Sequence, residues 1–379
     1  MKILFISMPS VHVSRWIENL DDSKYELFWF DILNRGKLNT NKNVFQFTPD
    51  YKRKRKHIKG EYFLSKNIPE LFSLIQPYLE NTPNEVLEKV INEIRPDIIH
   101  SFEMQSCSYP ILKTMKKFPS IKWIYSCWGS DLYYYQNNFL HKFKIKQVLK
   151  RVNVIHTDCI RDYQLAKKLG FKGFFSGVIP GGSGYDLELV QKYIKPISNR
   201  KIILVKGYEH QFGRAINVIK AIERIDKEVI AKYDVVVFGA HQIVIDYIKS
   251  SSFNCLFYTR HELNNLQILE LMGSSIIYIG NSISDGIPNT LIESIIMGAF
   301  PIQSNPGKVT EELIVNEVTG LIIDNPENII EISKIIHNAI INPMLIENAS
   351  KKNSIIANER FDQNKINILI NNLYKYTKI

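Results

Sequence analysis

Short apolar segments alternate with longer segments of helical periodicity along most of the chain. The apolar segments have the length of buried strands, and this alternation is typical of βαβ units that form parallel sheets. In the first half, the predicted strands are KILFIS, YELFWF, DIIHS, KWIYS, NVIHT and GFFSGVI. A second series begins at Lys201 and consists of KIILVKG, YDVVVFG, NCLFY, SSIIYIG, AFPIQS and GLIID.

The two series are separated by residues 179–200, which are rich in Gly, Ser and Pro and so favour a domain boundary. A length of 379 residues also suits two domains. We therefore predict an α/β protein of two doubly wound, Rossmann-like domains facing a cleft, with residues 1–190 in the first and 191–359 in the second. The helical pattern at about 360–379 has no strand beside it, and we expect this last helix to pack back on the first domain.

The net charge of +10 lies almost entirely in the first half. Residues 1–190 carry 28 Lys or Arg and 19 Asp or Glu, whereas residues 191–379 carry 20 and 19. The excess is concentrated at Tyr51–Gly60, at His141–Arg151, and at Lys113, Lys116 and Lys117. Such clusters suit an anionic membrane surface, or they form an ordinary solvated face. Nucleic acid is disfavoured, because no helix-turn-helix, RNP-like or zinc signature accompanies the charge.

Nothing in the sequence predicts a spanning helix, since no run of about 18 apolar residues occurs. The apolar start, KILFIS, is followed by polar and charged residues and suits a buried strand better than a signal peptide. The four cysteines are widely spaced without a CxxC pair, which favours free thiols in a reducing cytosol. We expect a cytoplasmic protein, with peripheral attachment to the inner face of the cytoplasmic membrane.

The most informative segment is Ser282–Ser304, where a predicted strand is followed by a loop, a helix and another strand. Asn289 or Thr290 can cap this helix, and the amides of its first turn, helped by the helix dipole, can receive a phosphate group. Asp285 precedes the helix and Glu293 lies about one turn into it, so both carboxylates can accept hydrogen bonds from sugar hydroxyls. This pattern suits a nucleotide sugar. The alternative is that Asp285 only supports the turn and Glu293 is an ordinary surface residue.

This segment resembles the retaining glycosyltransferases of family four, which have the GT-B fold. Asp285 and Glu293 match the family's two acids separated by seven residues, with Asp where the first acid is usually Glu; SIIMGAFPIQS and EVTGLIID resemble the segments that follow. The resemblance implies roles for eight residues. They are Asp285, Gly286, Ile287, Pro288 and Asn289 for the donor sugar, Thr290 and Leu291 for the phosphates, and Glu293 for the ribose.

The segment KIILVKGYEHQFGRAINVIKAI resembles the opening of the family's second domain, where a basic pair clamps the diphosphate. The resemblance places this pair at Lys206 and Arg214, spaced more widely than usual, and two cations there would stabilise the leaving diphosphate. The loop TRHEL follows another strand, at the position where the family receives the nucleobase. This implies nucleobase contacts at Thr259 and Arg260.

Resemblance in the first half points to the acceptor. SMPSVHVSRWIENL is similar to related enzymes that read HxxRW after strand one, so His12 either approaches the donor phosphate or the acceptor, or packs at a helix start. WGSDLYYY resembles the family's HGSD loop with Trp128 in place of histidine, which leaves Asp131 as the acceptor contact. His100 and Glu103 end another strand at the same predicted edge.

The resemblance implies transfer of a hexosyl or N-acetylhexosaminyl group from a nucleotide-diphosphate sugar to an acceptor hydroxyl, with retained configuration. No DxD motif is present, so we expect neither a metal nor a cofactor. The basic first half suggests a glycan acceptor, lipid-linked as in bacterial surface polysaccharide synthesis. Two alternatives remain open, a non-catalytic GT-B-like partner protein and a nucleotide-sugar epimerase. A nicotinamide dehydrogenase is disfavoured, because GGSGYDL lacks the third glycine of GxGxxG.

Overall fold

Two compact units, each built around one parallel β-sheet, make up the chain. The structure is a computed structural model that describes residues 1–47, 53–179, 183–251 and 253–375. Unit 1 contains Met1–Thr157, Asp162–Gly182 and Leu369–Ile379, and unit 2 contains Asp158–Arg161 and Ser183–Ile368. Residues 180–182 of the predicted boundary, and Tyr51 and Lys52 of the predicted basic cluster, lie outside the described residues.

In its described residues, unit 1 has seven parallel strands. They are β1 (Lys2–Ser7), β2 (Glu26–Asp31), β3 (Val44–Phe47), β4 (Ile98–Phe102), β5 (Lys122–Cys127), β6 (Val154–Thr157) and β7 (Phe174–Val178). Their order in the sheet is β3-β2-β1-β4-β5-β6-β7. All but β3 coincide with predicted strands. The short edge strand β3 buries only Phe47, so it lacks the apolar run by which the others were predicted.

The helices of unit 1 cover both faces of this sheet, and most follow a strand. They are α1 (Val11–Glu18), α2 (Glu61–Asn67), α3 (Pro69–Leu79), α4 (Pro83–Ile94), α5 (Leu112–Lys117), α6 (Ser130–Tyr133), α7 (Phe139–Leu149) and α8 (Ile160–Lys168), whose first two residues belong to unit 2. Helix α4 shows how the sequence defines such an element. Thr82 and Glu85 form a reciprocal capping box around Pro83, and five apolar side chains on one face are buried.

Unit 2 repeats the architecture with a six-stranded parallel sheet in its described residues. Its strands are β8 (Ile202–Lys206), β9 (Asp234–Ala240), β10 (Leu256–Thr259), β11 (Ser275–Gly280), β12 (Phe300–Ser304) and β13 (Leu321–Ile323), and their order is β10-β9-β8-β11-β12-β13. All six were predicted. Every residue of the central strand β11 is buried, as expected for a parallel strand covered on both faces.

Unit 2 contains nine α-helices in its described residues. They are α9 (Leu187–Gln191), α10 (Ala215–Ile222), α11 (Lys227–Ile230), α12 (Gln242–Ser250), α13 (Asn265–Gly273), α14 (Asn289–Ile296), α15 (Ile329–Ile341), α16 (Pro343–Arg360) and α17 (Gln363–Lys375). Among the described helices, none taken singly has the length and apolar composition to cross a membrane. Only α15 and α16 together meet that test, and they are bent by 87°.

The end of the last helix, α17, belongs to unit 1, as the sequence predicts. Tyr374 is fully buried there, and its hydroxyl accepts a 2.7 Å hydrogen bond from the indole nitrogen of Trp16 in α1. The helix is therefore tied into unit 1 by a buried polar contact as well as by apolar packing.

Both sheets have a switch point, where the strand order reverses direction. It lies between β1 and β4 in unit 1 and between β8 and β11 in unit 2. Loops that leave the carboxyl ends of the two strands at a switch point diverge to opposite faces, and the crevice they leave is where such sheets bind ligands. The fold therefore favours a ligand site among the residues that follow β1, β4, β8 and β11.

Candidate functional site

The predicted loop and helix after β11 are present, but the predicted cap is wrong: Pro288 is the N-cap residue, and no side chain caps the helix. Asn289 is the first residue of α14, and Asp285 lies half-buried in the preceding loop. The Gly286 amide donates to Oδ1 of Asp285 over 2.9 Å. Burial raises the pKa of the Asp285 carboxyl, while the charge of Lys206 at the end of β8 acts in the opposite direction. The positive charge of Lys206 thus acts on the Asp285 carboxyl at the switch point of unit 2.

A buried carboxylate lies behind this loop. Glu293, in the second turn of α14, is only 4% exposed. Its Oε1 accepts hydrogen bonds from the Tyr185 hydroxyl and from the Asn265 amide nitrogen, each at 3.0 Å. Two distant parts of unit 2 therefore fix the orientation of this carboxylate.

Tyr278 of β11 contacts the first turn of α14. The hydroxyl groups of Tyr278 and Thr290 lie 2.7 Å apart, and burial raises the pKa of Tyr278. The amide of Leu291, predicted to bind phosphate, donates to the carbonyl of Pro288 over 3.0 Å. That amide is therefore used within the turn, and its phosphate contact stays a prediction.

The segment Asp158–Arg161 braces the same loop. The Arg161 guanidinium donates from Nη2 to the carbonyl of Asp285 over 2.7 Å and from Nη1 to the carbonyl of Pro306 over 2.6 Å. Asp158 approaches so closely that a Cβ on Gly286 would lie 2.4 Å from its Oδ2. Glycine is therefore needed at position 286 unless the Asp158 side chain moves.

On the β8 side of the switch point, aromatic and basic side chains cluster. The Lys206 ammonium lies 4.7 Å from the ring centre of Tyr208, and the Arg260 guanidinium lies 5.7 Å from the same ring. The rings of Tyr208 and His241 stack at 5.1 Å. Two basic residues predicted from the sequence, at the ends of β8 and β10, thus lie close to the same tyrosine ring.

Arg214, the second predicted clamp residue, has internal partners. Its Nε donates to Oε1 of Glu327 over 2.6 Å, and its Nη1 donates to the carbonyls of His210 and Gly213. These contacts hold the loop between β8 and α10, so the structure gives Arg214 a loop-stabilising position. Its contact with a diphosphate stays a prediction.

His210, which the sequence analysis did not single out, also belongs to the cluster on Tyr208, with the two ring centres 6.0 Å apart. Its ring centre is 5.3 Å from that of His241. Burial lowers the pKa of His210, and the positive charges of His241, Lys206, Arg260 and Arg214 lower it further. Burial is the main cause of this shift, and the basic groups nearby act in the same direction.

A pocket of about 510 Å³ opens at the carboxyl ends of β9 and β10, and Thr259 and Arg260 line it together with His241. The Thr259 amide donates to Glu262 over 2.8 Å, and the Thr259 carbonyl accepts from the Glu262 amide. The backbone of Thr259 is therefore used in its own turn, whereas the side chain of Arg260 reaches the Tyr208 ring.

At the switch point of unit 1, the predicted residues from two loops come together. His12 is an exposed residue at the start of α1, and its ring centre lies 5.7 Å from that of Trp128 after β5. Trp128 in turn lies 6.1 Å from Phe102 at the end of β4. This edge of unit 1 is thus lined by the segments in which the sequence placed the acceptor.

Asp131 is turned into the fold. It is 4% exposed, and its carboxylate accepts from the Tyr125 hydroxyl over 2.6 Å and from the Trp128 amide over 3.0 Å. Burial raises its pKa to about 6. Asp131 therefore orients the Trp128 turn, and a direct acceptor contact stays a prediction.

Glu103 occupies a strained backbone position directly after β4, with φ of 66°. Its two carboxylate oxygens accept from the amides of Gln105 and Ser106, over 2.8 and 2.6 Å, and so cap a π-helical turn, Met104–Ser108. Such turns often accompany functional sites. Burial, followed by the charge of Asp131, raises the pKa of Glu103 to about 7.

His100 lies in the core, away from any ligand edge. Its Nδ1 lies 2.7 Å from the Tyr374 hydroxyl and its Nε2 lies 2.7 Å from the Ser126 hydroxyl, which continues to His156 Nδ1 at 3.0 Å. Burial lowers the pKa of His100 well below its ordinary range. Its side chain is fully buried, so the structure places it in a structural network rather than at the predicted edge.

Several site residues could not be recognised in the sequence, namely Arg161, Tyr185, Asn265 and Tyr208. Arg161 and Asn265 belong to the first turns of α8 and α13, and Tyr185 precedes α9. Tyr208 lies within the segment that resembles the opening of the family's second domain, but nothing in that resemblance singled it out. Within the described ranges, no cluster of three or more His, Cys, Asp or Glu could hold a metal ion.

Two family models match the chain. The one described as "Glycosyl transferase 4-like" matches residues 84–158, and the one described as "Glycosyl transferases group 1" matches residues 189–360. Together they cover more than half of the chain. The second match contains the loop and helix from Asp285 to Glu293. Curated proteins give no match.

Solved structures of similar fold extend over the whole chain. Sucrose-phosphate synthase from Thermosynechococcus elongatus has a TM-score of 0.73 at 12% identity, covering 99% of this chain and 98% of its own. HepE from Anabaena, solved with UDP and glucose, has a TM-score of 0.65 at 14% identity, covering 99% and 100%. A glycosyltransferase from Rickettsia africae has a TM-score of 0.64 at 15% identity, covering 99% and 98%. At these identities the likeness shows the fold alone.

Proposed function

We propose that this chain, which belongs to the family-four type of glycosyltransferases with the GT-B fold, moves a sugar from a nucleotide-diphosphate donor to an acceptor hydroxyl with retained configuration. Unit 2 would bind the donor and unit 1 the acceptor. One observation supports this most directly. The Glu293 carboxylate of α14 is buried and held in one orientation by Tyr185 and Asn265, while Asp285 lies in the loop before the N-terminus of the same helix.

In this proposal each part of the donor has a receiving group. Glu293 accepts from the ribose hydroxyls, because Tyr185 and Asn265 already hold its carboxylate in place. Asp285 and the loop 286–289 contact the sugar, and the first turn of α14 receives phosphate through amides and helix dipole. The pocket beside Thr259 and Arg260 takes the nucleobase.

The positive charge for the diphosphate comes mainly from Lys206 and Arg260, with Arg214 holding the loop between β8 and α10. Both side chains lie within 6 Å of the Tyr208 ring centre, at the carboxyl ends of β8 and β10. Cations fixed before the reaction stabilise the negative charge that grows on the departing diphosphate. This electrostatic effect acts in the transition state and so increases the rate.

The proposed reaction needs no protein nucleophile. The bond between the anomeric carbon and the diphosphate breaks, and the diphosphate leaves with the electron pair. The acceptor oxygen then bonds to the anomeric carbon on the same face, and its proton passes to a phosphate oxygen. The chain's contribution is positioning and charge stabilisation, without a metal ion.

The donor and acceptor classes follow from separate observations. HepE was solved with UDP and glucose, which favours a UDP-hexose or UDP-N-acetylhexosamine here. The excess of Lys and Arg in residues 1–190 favours an acceptor at an anionic membrane, such as a lipid-linked glycan of a bacterial surface polysaccharide. The protein would then act in the cytoplasm, at the inner face of the cytoplasmic membrane.

The test is a screen of UDP-, GDP- and ADP-sugars for thermal stabilisation of the purified chain. A ligand at 100 times its dissociation constant adds about 2.7 kcal/mol, which is readily measured. The best donor is then incubated with glycan acceptors, and NMR of the product gives the anomeric configuration. Inversion would refute the retaining mechanism. Binding without transfer to any acceptor would favour a non-catalytic sugar-nucleotide-binding protein.

A further inference from the structure

Helices α2 and α3 of unit 1 leave an unusual amount of apolar surface exposed. The only buried side chains in the pair are Glu61 of α2 and Leu79 of α3. Five large side chains are exposed, namely Tyr62 (76%), Phe63 (61%), Leu71 (45%), Leu74 (69%) and Tyr78 (72%). Single exposed apolar residues are ordinary, but a continuous patch marks a contact with a partner or a membrane.

The sequence of α3 explains the patch. Leu71, Leu74 and Tyr78 are spaced by three and four positions and so share one face of the helix. Phe72 and Leu79, one position further along, share the inner face, where Phe72 is half-buried and Leu79 is buried. A helix that is apolar on both faces is typical of a buried or membrane-contacting element.

Basic residues flank these apolar side chains along the sequence. Residues 53–79 contain six Lys or Arg but only two Glu, and Glu61 is already paired with Arg53 over 2.6 Å. Arg55, Lys56, Lys59 and Lys66 are exposed. This combination complements an anionic surface with an apolar interior.

We propose that α2 and α3 form a membrane-insertion element that enters the headgroup region of an anionic phospholipid bilayer. Phe63, Leu71 and Leu74 reach the acyl boundary, while Tyr62 and Tyr78 lie at the headgroup level. The exposed Lys and Arg contact lipid phosphates. This inference deepens the proposed function and rests on it, because the element would hold the chain at the membrane that contains the proposed lipid-linked acceptor.

A bilayer suits this surface better than a protein partner does. Protein interfaces are depleted in Lys, whereas interfacial membrane helices combine Lys and Arg with Phe and Leu. The local charge also favours anionic lipid over a second copy of the chain, since two such faces would repel each other.

The position of α3 connects this element to the acceptor edge. Gln76 and Pro77 of α3 line a pocket of about 350 Å³ together with Leu33, Ser106 and Pro110. Leu33 follows β2, and Ser106 belongs to the turn capped by Glu103 after β4. The carboxyl edge of the unit 1 sheet therefore lies beside the end of α3. A lipid-linked acceptor could keep its tail in the bilayer while its glycan reaches this edge.

The first test uses the full chain and vesicles of phosphatidylcholine, with and without phosphatidylglycerol. We expect the chain to sediment with the anionic vesicles at low salt. Phe63→Glu and Leu74→Glu should each weaken this partition at least about tenfold, because burying a large apolar side chain contributes that much. The matched control is Ile355→Glu on α16, where the side chain is 59% exposed. It should not change the partition.

The second test measures insertion directly. Leu74→Trp should be quenched by brominated phospholipids in anionic vesicles, whereas Ile355→Trp should not. Binding that is unaffected by the apolar substitutions would overturn the proposal, as would binding lost only with Phe139→Glu on α7. Phe139 is 81% exposed and belongs to a separate basic helix. Self-association through Leu74, without vesicle binding, would assign the surface to a protein contact and also overturn it.

Failure of this inference differs from failure of the proposed function. Stabilisation by a nucleotide sugar depends on unit 2, so Leu74→Glu should retain it at the wild-type level. If a donor stabilises the chain but the chain does not bind vesicles, only the membrane-insertion element is overturned. A chain that binds vesicles but is not stabilised by any donor would contradict the proposed function while leaving the element supported.

Discussion

The Tyr185 hydroxyl donates to Oε1 of Glu293 over 3.0 Å, across 108 positions of sequence. Tyr185 is itself held in place, because its backbone amide donates to the carbonyl of Phe361 over 2.9 Å. The segment that enters unit 2 and the segment that leaves it thus meet behind α14. The proposed ribose-binding carboxylate therefore depends on a residue that no motif marks.

Removing this hydroxyl should weaken donor binding while preserving the fold. Tyr185→Phe deletes one hydrogen bond to a buried carboxylate, a loss of about 1–2 kcal/mol, or roughly tenfold in affinity. Titration calorimetry with the best donor sugar measures it. Tyr233→Phe, a partly buried tyrosine elsewhere in unit 2, is the control. Equal affinities of wild type and Tyr185→Phe would show that Glu293 does not need this orientation.

Arg161 should affect donor binding and turnover through the geometry of its guanidinium group rather than through its charge. Its guanidinium spans the carbonyls of Asp285 and Pro306, and a lysine supplies one point charge that cannot span both. Arg161→Lys should therefore raise the KM for the donor severalfold and lower kcat. Steady-state kinetics check this, with the exposed Arg224→Lys as the control. Unchanged kinetics would mean that the Asp285 loop holds its shape without the brace.

Substitution of Lys206 should change the reaction rate, whereas substitution of Arg214 should change the stability of the fold. Lys206→Met removes the charge that we propose lies beside the leaving diphosphate, so kcat/KM should fall by about 100-fold or more at nearly unchanged melting temperature. Arg214→Met breaks the Glu327 pair and leaves loop carbonyls unsatisfied. It should lower the free energy of unfolding by about 1–2 kcal/mol, measured in urea.

The reverse outcome is equally informative. If Arg214→Met abolished transfer without loss of stability, then the diphosphate clamp implied by family resemblance would extend to both residues. In that case the pairing with Glu327 would have to open when the donor binds.

Much of the fold could be predicted because its signals are local. Buried strands such as β8 and β11 are continuous apolar runs, and their alternation with helices defines two parallel sheets. The edge strand β3 was missed because only Phe47 is buried in it. The GT-B fold implied by the residues from Asp285 to Glu293 is confirmed by structures that cover the whole chain.

The site could be predicted only where its residues share one segment. Asp285 and Glu293 are eight positions apart on one loop and helix, so their spacing carries the information. The partner of Arg214, by contrast, is Glu327, 113 positions later, and periodicity says nothing about such a pairing. The inward orientation of Asp131 likewise depends on Tyr125 on the preceding strand.

The Tyr374 hydroxyl should stabilise unit 1 through a directed chain of hydrogen bonds. The Trp16 indole donates to it, and it can donate to His100 Nδ1 at 2.7 Å. Tyr374→Phe leaves both buried partners unpaired, so it should lower the free energy of unfolding by about 2–3 kcal/mol. Urea denaturation measures this, with Tyr62→Phe on the exposed surface as the control. A loss below about 0.5 kcal/mol would contradict a stabilising role for this network.

Glu103 should make the stability of unit 1 fall as the pH rises. In the folded chain its pKa is raised to about 7 from an ordinary value of 4.5, chiefly by burial. Between these two values the folded chain holds a proton that the unfolded chain has released. The free energy of unfolding therefore decreases with rising pH across this window, by at most about 3 kcal/mol.

Glu103→Gln isolates this effect, because glutamine cannot titrate. Its side chain keeps one acceptor oxygen for the two amides of the π-helical turn, so the variant loses one contact at every pH. Only wild type loses further stability as Glu103 ionises. The difference in unfolding free energy between wild type and variant should therefore shrink as the pH rises from about 4.5 to about 7. Other buried groups also change the stability in this range. Those that do not interact with Glu103 cancel in the difference, whereas Asp131, whose charge acts on Glu103, cancels only in part. Asp131, with a pKa near 6, acts in the same direction as Glu103, and His156, with a pKa near 4, acts in the opposite direction. The control is Glu188→Gln on the surface. A constant difference across the window would show that Glu103 is already ionised in the folded chain, and would leave the strained turn without a titrating group.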